Sequence, residues 1–167
     1  MLKKLLRRVQ HNHALEHATI NLLSRQYPQA QIMGLSGPGG FTLYTSLTAE
    51  EVVPATRQAL HALKRGELDL AVHDHCGTNL VVTAGLTTAA TLLGLGLRRK
   101  RKLFDLVEKI PQAMLLNALA LMVAAPLGHW VQSNVTTDPE VGGVEITSFL
   151  TDYKGSMRRV RVHTRES

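Results

Sequence analysis

The chain has 167 residues, a formal net charge of +6 and a single cysteine, Cys76, so an internal disulfide is excluded. A chain of this length usually forms one soluble domain, but here the charged residues lie outside two long uncharged stretches. The basic residues cluster beside those stretches and near the C-terminal end, with few aromatic residues for base stacking. Anionic lipid headgroups therefore fit the charge better than nucleic acid, and we expect no nucleic-acid partner.

The N-terminal segment predicts a helix that ends at Tyr27, because Pro28 disfavours a helical residue before it. Its first ten residues, MLKKLLRRVQ, interleave basic and apolar side chains, as in a helix that lies on an anionic membrane surface. Two β-prone runs at 30–35 and 41–46 flank the turn sequence SGPGG and predict a hairpin.

A second helix is predicted to begin at Thr48, where Glu51 three residues later completes a capping box, and to end at Gly66. Alternation over residues 68–76 predicts a strand that ends just before the first uncharged stretch. Two further strands are predicted at 144–153 and 159–164. The predicted fold class is α+β.

The uncharged stretches occupy residues 79–97 and 110–131. At about 1.5 Å of rise per residue each can cross a hydrocarbon core of about 30 Å, and a helix satisfies its own backbone there. We predict a transmembrane hairpin inserted into the α+β domain, dividing the chain into residues 1–78, 79–131 and 132–167. A helical pair buried in a soluble core is the alternative, but so small a chain could hardly cover it. The loop 98–109 begins RRKRK, yet the N-terminus is basic too, so charge leaves the sidedness open.

The N-terminal helix carries the sequence H-x-x-E-H at His13, Glu16 and His17. Residues four apart share a helix face, so the two imidazoles can reach one ion. In inverted zincins two such histidines bind zinc and the glutamate deprotonates a metal-bound water. We predict His13 and His17 as zinc ligands, with another divalent metal as the alternative, and Glu16 as general base.

A second cluster, HDHCGTN, could supply the ligands that the helix lacks. Zinc takes three or four nitrogen, sulfur or oxygen ligands, and a turn after Cys76 would let His73 and Cys76 converge. His75 would point away in a strand and is expected on the surface.

The two motifs together resemble the YqhQ-like group of prokaryotic membrane proteins, described as predicted metal-dependent enzymes. The resemblance rests on His13-Ala14-Leu15-Glu16-His17 and on the segment HDHCGT at residues 73–78. It implies a prokaryotic cell-membrane location and a metal site at His13, Glu16, His17, His73 and Cys76.

Three functions remain open at this point. An open site with three protein ligands predicts a metal-dependent hydrolase, whereas a closed shell of three histidines and the cysteine predicts a structural site. The third option is a metal-free cluster of packed polar groups. The number of subunits is also open, and a homo-oligomer is one arrangement.

Overall fold

The computed structural model of the chain describes residues 2–74, 76–96, 104, 107–155 and 157–166. They form two compact units, one made of Met1–His73 with Ser133–Ser167 and the other of Asp74–Gln132. The first unit combines helices with an antiparallel sheet, and the second contains two apolar helices. The predicted α+β fold class is confirmed.

The first unit contains two hairpins and two long helices. Its elements, in chain order, are α1 (Leu2–Gln26), β1 (Ile32–Gly37), β2 (Gly40–Thr45), α2 (Ala49–Lys64), β3 (Val144–Lys154) and β4 (Met157–Glu166). The four strands form one sheet in the order β1-β2-β4-β3, and each neighbouring pair is antiparallel. Four of the strands predicted from the sequence are confirmed here, with bounds shifted by at most two residues.

One face of the sheet is buried against α1 and α2. Side chains alternate between the two faces of a strand, so the apolar positions of β2 and β4 share this face. Burying each large apolar side chain contributes about 1.5–3 kcal/mol. The core includes Leu15, Leu23, Phe41, Leu43, Val52, Val160 and Val162. The alternate residues of β4 are basic and lie on the opposite, open face.

The predicted capping box at the start of α2 is confirmed. The Glu51 carboxylate accepts from the Thr48 backbone N–H at 2.6 Å and from its hydroxyl at 2.9 Å. These two hydrogen bonds hold the pKa of Glu51 below its usual range. The helix ends at Lys64, and Gly66 follows with a φ of 92°, a conformation that glycine adopts without steric cost.

The predicted strand at residues 68–76 is wrong. Leu68–Ala71 form a short 3₁₀ helix, and the described residues among 72–76 belong to no strand. Side chains of α1 donate to the carbonyl oxygens of Leu70, Ala71 and Val72, so this segment finds its hydrogen bonds on a helix. Leu70 is buried while Leu68 is exposed, so these two leucines do not share one buried face as they would in a strand.

The second unit is an antiparallel pair of helices, α3 (Gly77–Leu95) and α4 (Ile110–Val131). A Cβ on Gly94 would overlap the Ala113 backbone, which indicates close packing at one end of the pair. Near the middle, the Asn117 side-chain amide donates to the Thr91 hydroxyl at 2.9 Å. The predicted helical pair is confirmed, and it begins two residues earlier than expected.

Both helices expose large apolar side chains over much of their surface. Leu80 is 72% exposed and Met122 is 75% exposed. Among the described residues, two helices are long and apolar enough to cross a membrane. The end of the first predicted span at Leu97 and the basic run at 98–102 lie outside the described residues.

Candidate metal centre

His13 and His17 lie one above the other on α1. Their four-residue spacing puts both on one helix face, and their ring centroids are 4.2 Å apart in an edge-on arrangement. His17 is 2% exposed, whereas His13 is half-buried. The two histidines share a helix face as the spacing predicts, and their role as metal ligands stays a prediction.

Each of these two rings is oriented by a backbone carbonyl group. The Nδ1 of His13 lies 2.9 Å from the Thr136 carbonyl oxygen, and the Nδ1 of His17 lies 2.7 Å from that of Ala71. A carbonyl oxygen only accepts hydrogen bonds, so Nδ1 carries the proton in both rings. When such a ring is neutral, its lone pair is on Nε2, the atom that would coordinate a metal.

His73 follows the 3₁₀ helix that packs on α1. The Asn21 side-chain amide donates to the carbonyl oxygens of Leu70 at 2.9 Å and Val72 at 2.8 Å. Asn21 therefore fixes the backbone immediately before His73. The ring of His73 lies with its centroid 6.0 Å from that of His17.

Cys76 is the N-cap residue of α3, and its Sγ accepts from the Thr78 N–H at 3.4 Å. A helix N-terminus favours negative charge, and the thiolate is the form of cysteine that binds metal. By the chemistry of its side chain Cys76 is a third candidate ligand, in addition to His13 and His17 on α1.

Glu16, the predicted general base, contacts β1. It is 5% exposed, and its carboxylate accepts from the hydroxyl of Ser36 on β1. A Cβ on Gly34 would overlap this carboxylate, so Glu16 packs tightly against β1. The catalytic role of Glu16 stays a prediction.

Three other histidines lie apart from the cluster. His11 is buried, with its ring nitrogens 3.1 Å from Asp138 and 3.4 Å from Glu166. His61 is exposed on α2, and His163 lies on β4 between its pairing partners on β2 and β3. His75 lies outside the described residues.

The sequence interpretation missed Asn21. The residue lies four positions after His17 and eight after His13, so all three share one helix face. The sequence shows this spacing. It does not show what Asn21 contacts, because the carbonyl groups that accept its hydrogen bonds belong to a segment about fifty residues away.

These features define a class: an α+β domain with two adjacent histidines on its first helix, and a pair of apolar helices that begins after a cysteine. A family model described as "Domain of unknown function (DUF6391)" matches residues 8–149. The chain belongs to this family.

A relative supports the same assignment. The chain is 33% identical over 134 residues to an uncharacterised protein of the cyanobacterium Picosynechococcus sp. (strain ATCC 27264 / PCC 7002 / PR-6). The match covers 75% of this chain and 63% of the relative, so the chain spans less than two thirds of that protein. No solved structure matches the chain significantly.

Proposed function

We propose that this chain is an integral membrane protein that binds a zinc-type divalent ion through His13, His17 and Cys76. The observation that carries the proposal is the pair of hydrogen bonds from Nδ1 of His13 and His17 to backbone carbonyl oxygens. Metal-binding histidines usually donate their second ring N–H in this way, which fixes the tautomer and the ring orientation.

The donor set favours zinc over harder cations. Two imidazole nitrogens and one thiolate suit a tetrahedral Zn²⁺ site, whereas Mg²⁺ and Ca²⁺ prefer oxygen ligands. A fourth position completes the tetrahedron. If His73 fills it, the site is closed and stabilises the fold; if water fills it, the site can support hydrolysis.

The hydrolase reading is the second candidate, because three protein ligands on a zinc ion would leave a coordination position for water. In this reading Glu16 is the general base, as the H-x-x-E-H pattern of inverted zincins suggests. One oxygen of its carboxylate accepts from the Ser36 hydroxyl. The binding role requires no general base and is the function we favour.

The membrane location rests on length and composition of the two apolar helices. The start of α1 exposes three apolar side chains, Leu2, Leu5 and Leu6, which are interleaved with basic residues. This pattern favours contact with a membrane surface. We propose anionic headgroups as the lipid partner of this segment.

Metal content of the full chain, purified in a non-ionic detergent, tests the metal proposal. We expect about one equivalent of zinc, lost in a His13→Ala/His17→Ala double variant and kept in His61→Ala, which removes an exposed histidine. A folded wild-type protein that stays free of metal after zinc loading would contradict the proposal.

Cobalt substitution separates the two readings of the site. Thiolate coordination gives an intense sulfur-to-cobalt charge-transfer band, which Cys76→Ser should abolish while His61→Ala leaves it intact. An unchanged band in Cys76→Ser would remove Cys76 from the site. A closed site predicts one fewer ligand in His73→Ala, whereas an open site predicts the same number of protein ligands.

A further inference from the structure

A groove lies on the open face of the sheet, at the end where β1 turns into β2. It encloses about 280 Å³ and is lined by Leu35, Thr42, Arg161 and His163 together with glycines of the turn. Leu35 pairs with Thr42, and Thr42 pairs with Arg161, so these three side chains form one row across the sheet. The groove lies on the face opposite α1 because Val160 and Val162, the neighbours of Arg161, are fully buried.

The next row across the sheet has no side chain at two of its positions. Gly37 pairs with Gly40, and Gly40 pairs with His163. A Cβ on Gly37 would meet nothing within 4 Å, so the space above this row is open. Gly40 is fixed by its φ of 133° and by the nearby Val162 carbonyl oxygen. The missing side chains leave a floor on which a ligand can lie close to the backbone.

Arg161 differs from the other arginines on its strand. Arg159 forms an ion pair with Asp152, and Arg165 forms one with Glu145 at 3.0 Å. The residues directly opposite Arg161 are Thr42 on β2 and Leu150 on β3, neither of which is acidic. Arg161 therefore has no acidic residue directly opposite it in the sheet, whereas Arg159 and Arg165 each have one.

Charge on this face remains positive near the groove. The hydrogen bond and charge of Arg159 hold the pKa of Asp152 below its usual range, and Arg161 adds to the effect more weakly. Asp152 therefore forms its ion pair with Arg159 and interacts more weakly with Arg161.

We propose that this groove binds a phosphate group, with the apolar part of the ligand against Leu35. The guanidinium of Arg161, the imidazole of His163 and the hydroxyl of Thr42 line the same groove. Three donor groups suit the several oxygens of a phosphate better than the two oxygens of a carboxylate. Arg161 is the main anchor, because guanidinium binds phosphate through paired hydrogen bonds. The phosphate source is either a soluble ligand or a lipid headgroup.

Binding to the full chain in a maltoside detergent, which contains no phosphate, tests this proposal. The two probes are inorganic phosphate and micelles doped with phosphatidylglycerol, followed by calorimetry. We expect saturable binding that Arg161→Gln weakens about ten- to a hundredfold, the range for a hydrogen bond to a charged group. Gly37→Val should weaken it similarly by filling the floor without touching a core residue.

Arg165→Gln is the matched control, since it removes the same charge from the same face of the same strand. It should bind both probes as the wild type does. If Arg161→Gln loses affinity for both probes, the groove recognises the phosphate group that they share. If it loses affinity for one probe alone, that probe represents the source of the phosphate.

The proposal would be overturned if neither probe bound saturably, or if Arg161→Gln and Gly37→Val both kept the wild-type affinity. An equal loss of affinity in Arg165→Gln would also overturn it, because surface charge alone would then explain the binding. Benzoate binding as tightly as phenyl phosphate would likewise exclude a phosphate-selective site. Far-ultraviolet circular dichroism of each variant checks that the fold is kept.

Discussion

The Nδ1 of His17 lies 2.7 Å from the carbonyl oxygen of Ala71, and this hydrogen bond ties α1 to the 3₁₀ helix before His73. Both residues are buried. The contact fixes the ring of a proposed metal ligand and, at the same time, the segment that leads towards Cys76. Metal binding and the docking of this segment on α1 are therefore expected to be coupled.

Asn21→Ala tests that coupling. It removes both hydrogen bonds to Leu70 and Val72, leaving two carbonyl groups without these donors. We expect the free energy of unfolding to fall by about 1–3 kcal/mol and the zinc affinity to fall about tenfold or more. Thermal unfolding and zinc competition measure the two effects. A loss of stability with unchanged zinc affinity would show that Asn21 holds the segment without positioning the site.

Gly34→Ala tests the packing of Glu16 on β1. The added Cβ would overlap the Glu16 carboxylate, whereas a Cβ on Gly37 of the same strand meets open space. We expect Gly34→Ala to lower the free energy of unfolding by about 1–3 kcal/mol and Gly37→Ala to leave it nearly unchanged. Denaturant unfolding measures both. Equal stability of the two variants would contradict the close contact between Glu16 and β1.

Gly94→Val tests the close approach of the two apolar helices. A side chain at Gly94 would overlap the Ala113 backbone, but one at Gly85 of the same helix meets nothing within 4 Å. Close packing drives helix association where lipid surrounds the pair. We expect Gly94→Val to lower the thermal unfolding temperature in detergent and Gly85→Val to leave it within error. The opposite order would rule out this helix interface.

Glu51→Ala tests the capping box through pH. Hydrogen bonds from Thr48 lower the pKa of Glu51 in the folded protein, so the carboxylate stabilises the fold above the ordinary glutamate pKa of 4.5. This stabilisation is lost as the pH falls through the lowered value. Thermal unfolding between pH 3 and 6, in steps of about half a unit, should show a smaller pH dependence in Glu51→Ala.

Glu50→Ala serves as the control for that experiment, because Glu50 is the neighbouring acidic residue in the first turn of α2. It should keep the pH dependence of the wild type. An identical pH dependence in Glu51→Ala and the wild type would mean that the capping box does not contribute through its charge.

The sequence by itself determined the helices, the two hairpins and the likeness of its histidine motif to a metal site. These features depend on interactions between residues close in the chain. Pro28 ends α1, Thr48 and Glu51 start α2, and His13 and His17 meet because a helix repeats every 3.6 residues.

Only the tertiary structure decided what lies beside each motif. Residues 68–71 became a 3₁₀ helix instead of a strand because donors on α1, about fifty residues earlier, satisfy their carbonyl groups. The hydrogen bond between Glu16 and Ser36, and the groove beside Arg161, depend likewise on how distant strands pair. Local periodicity determines which residues share a face of a helix or strand. Which element packs on that face depends on contacts between residues that are distant in the sequence.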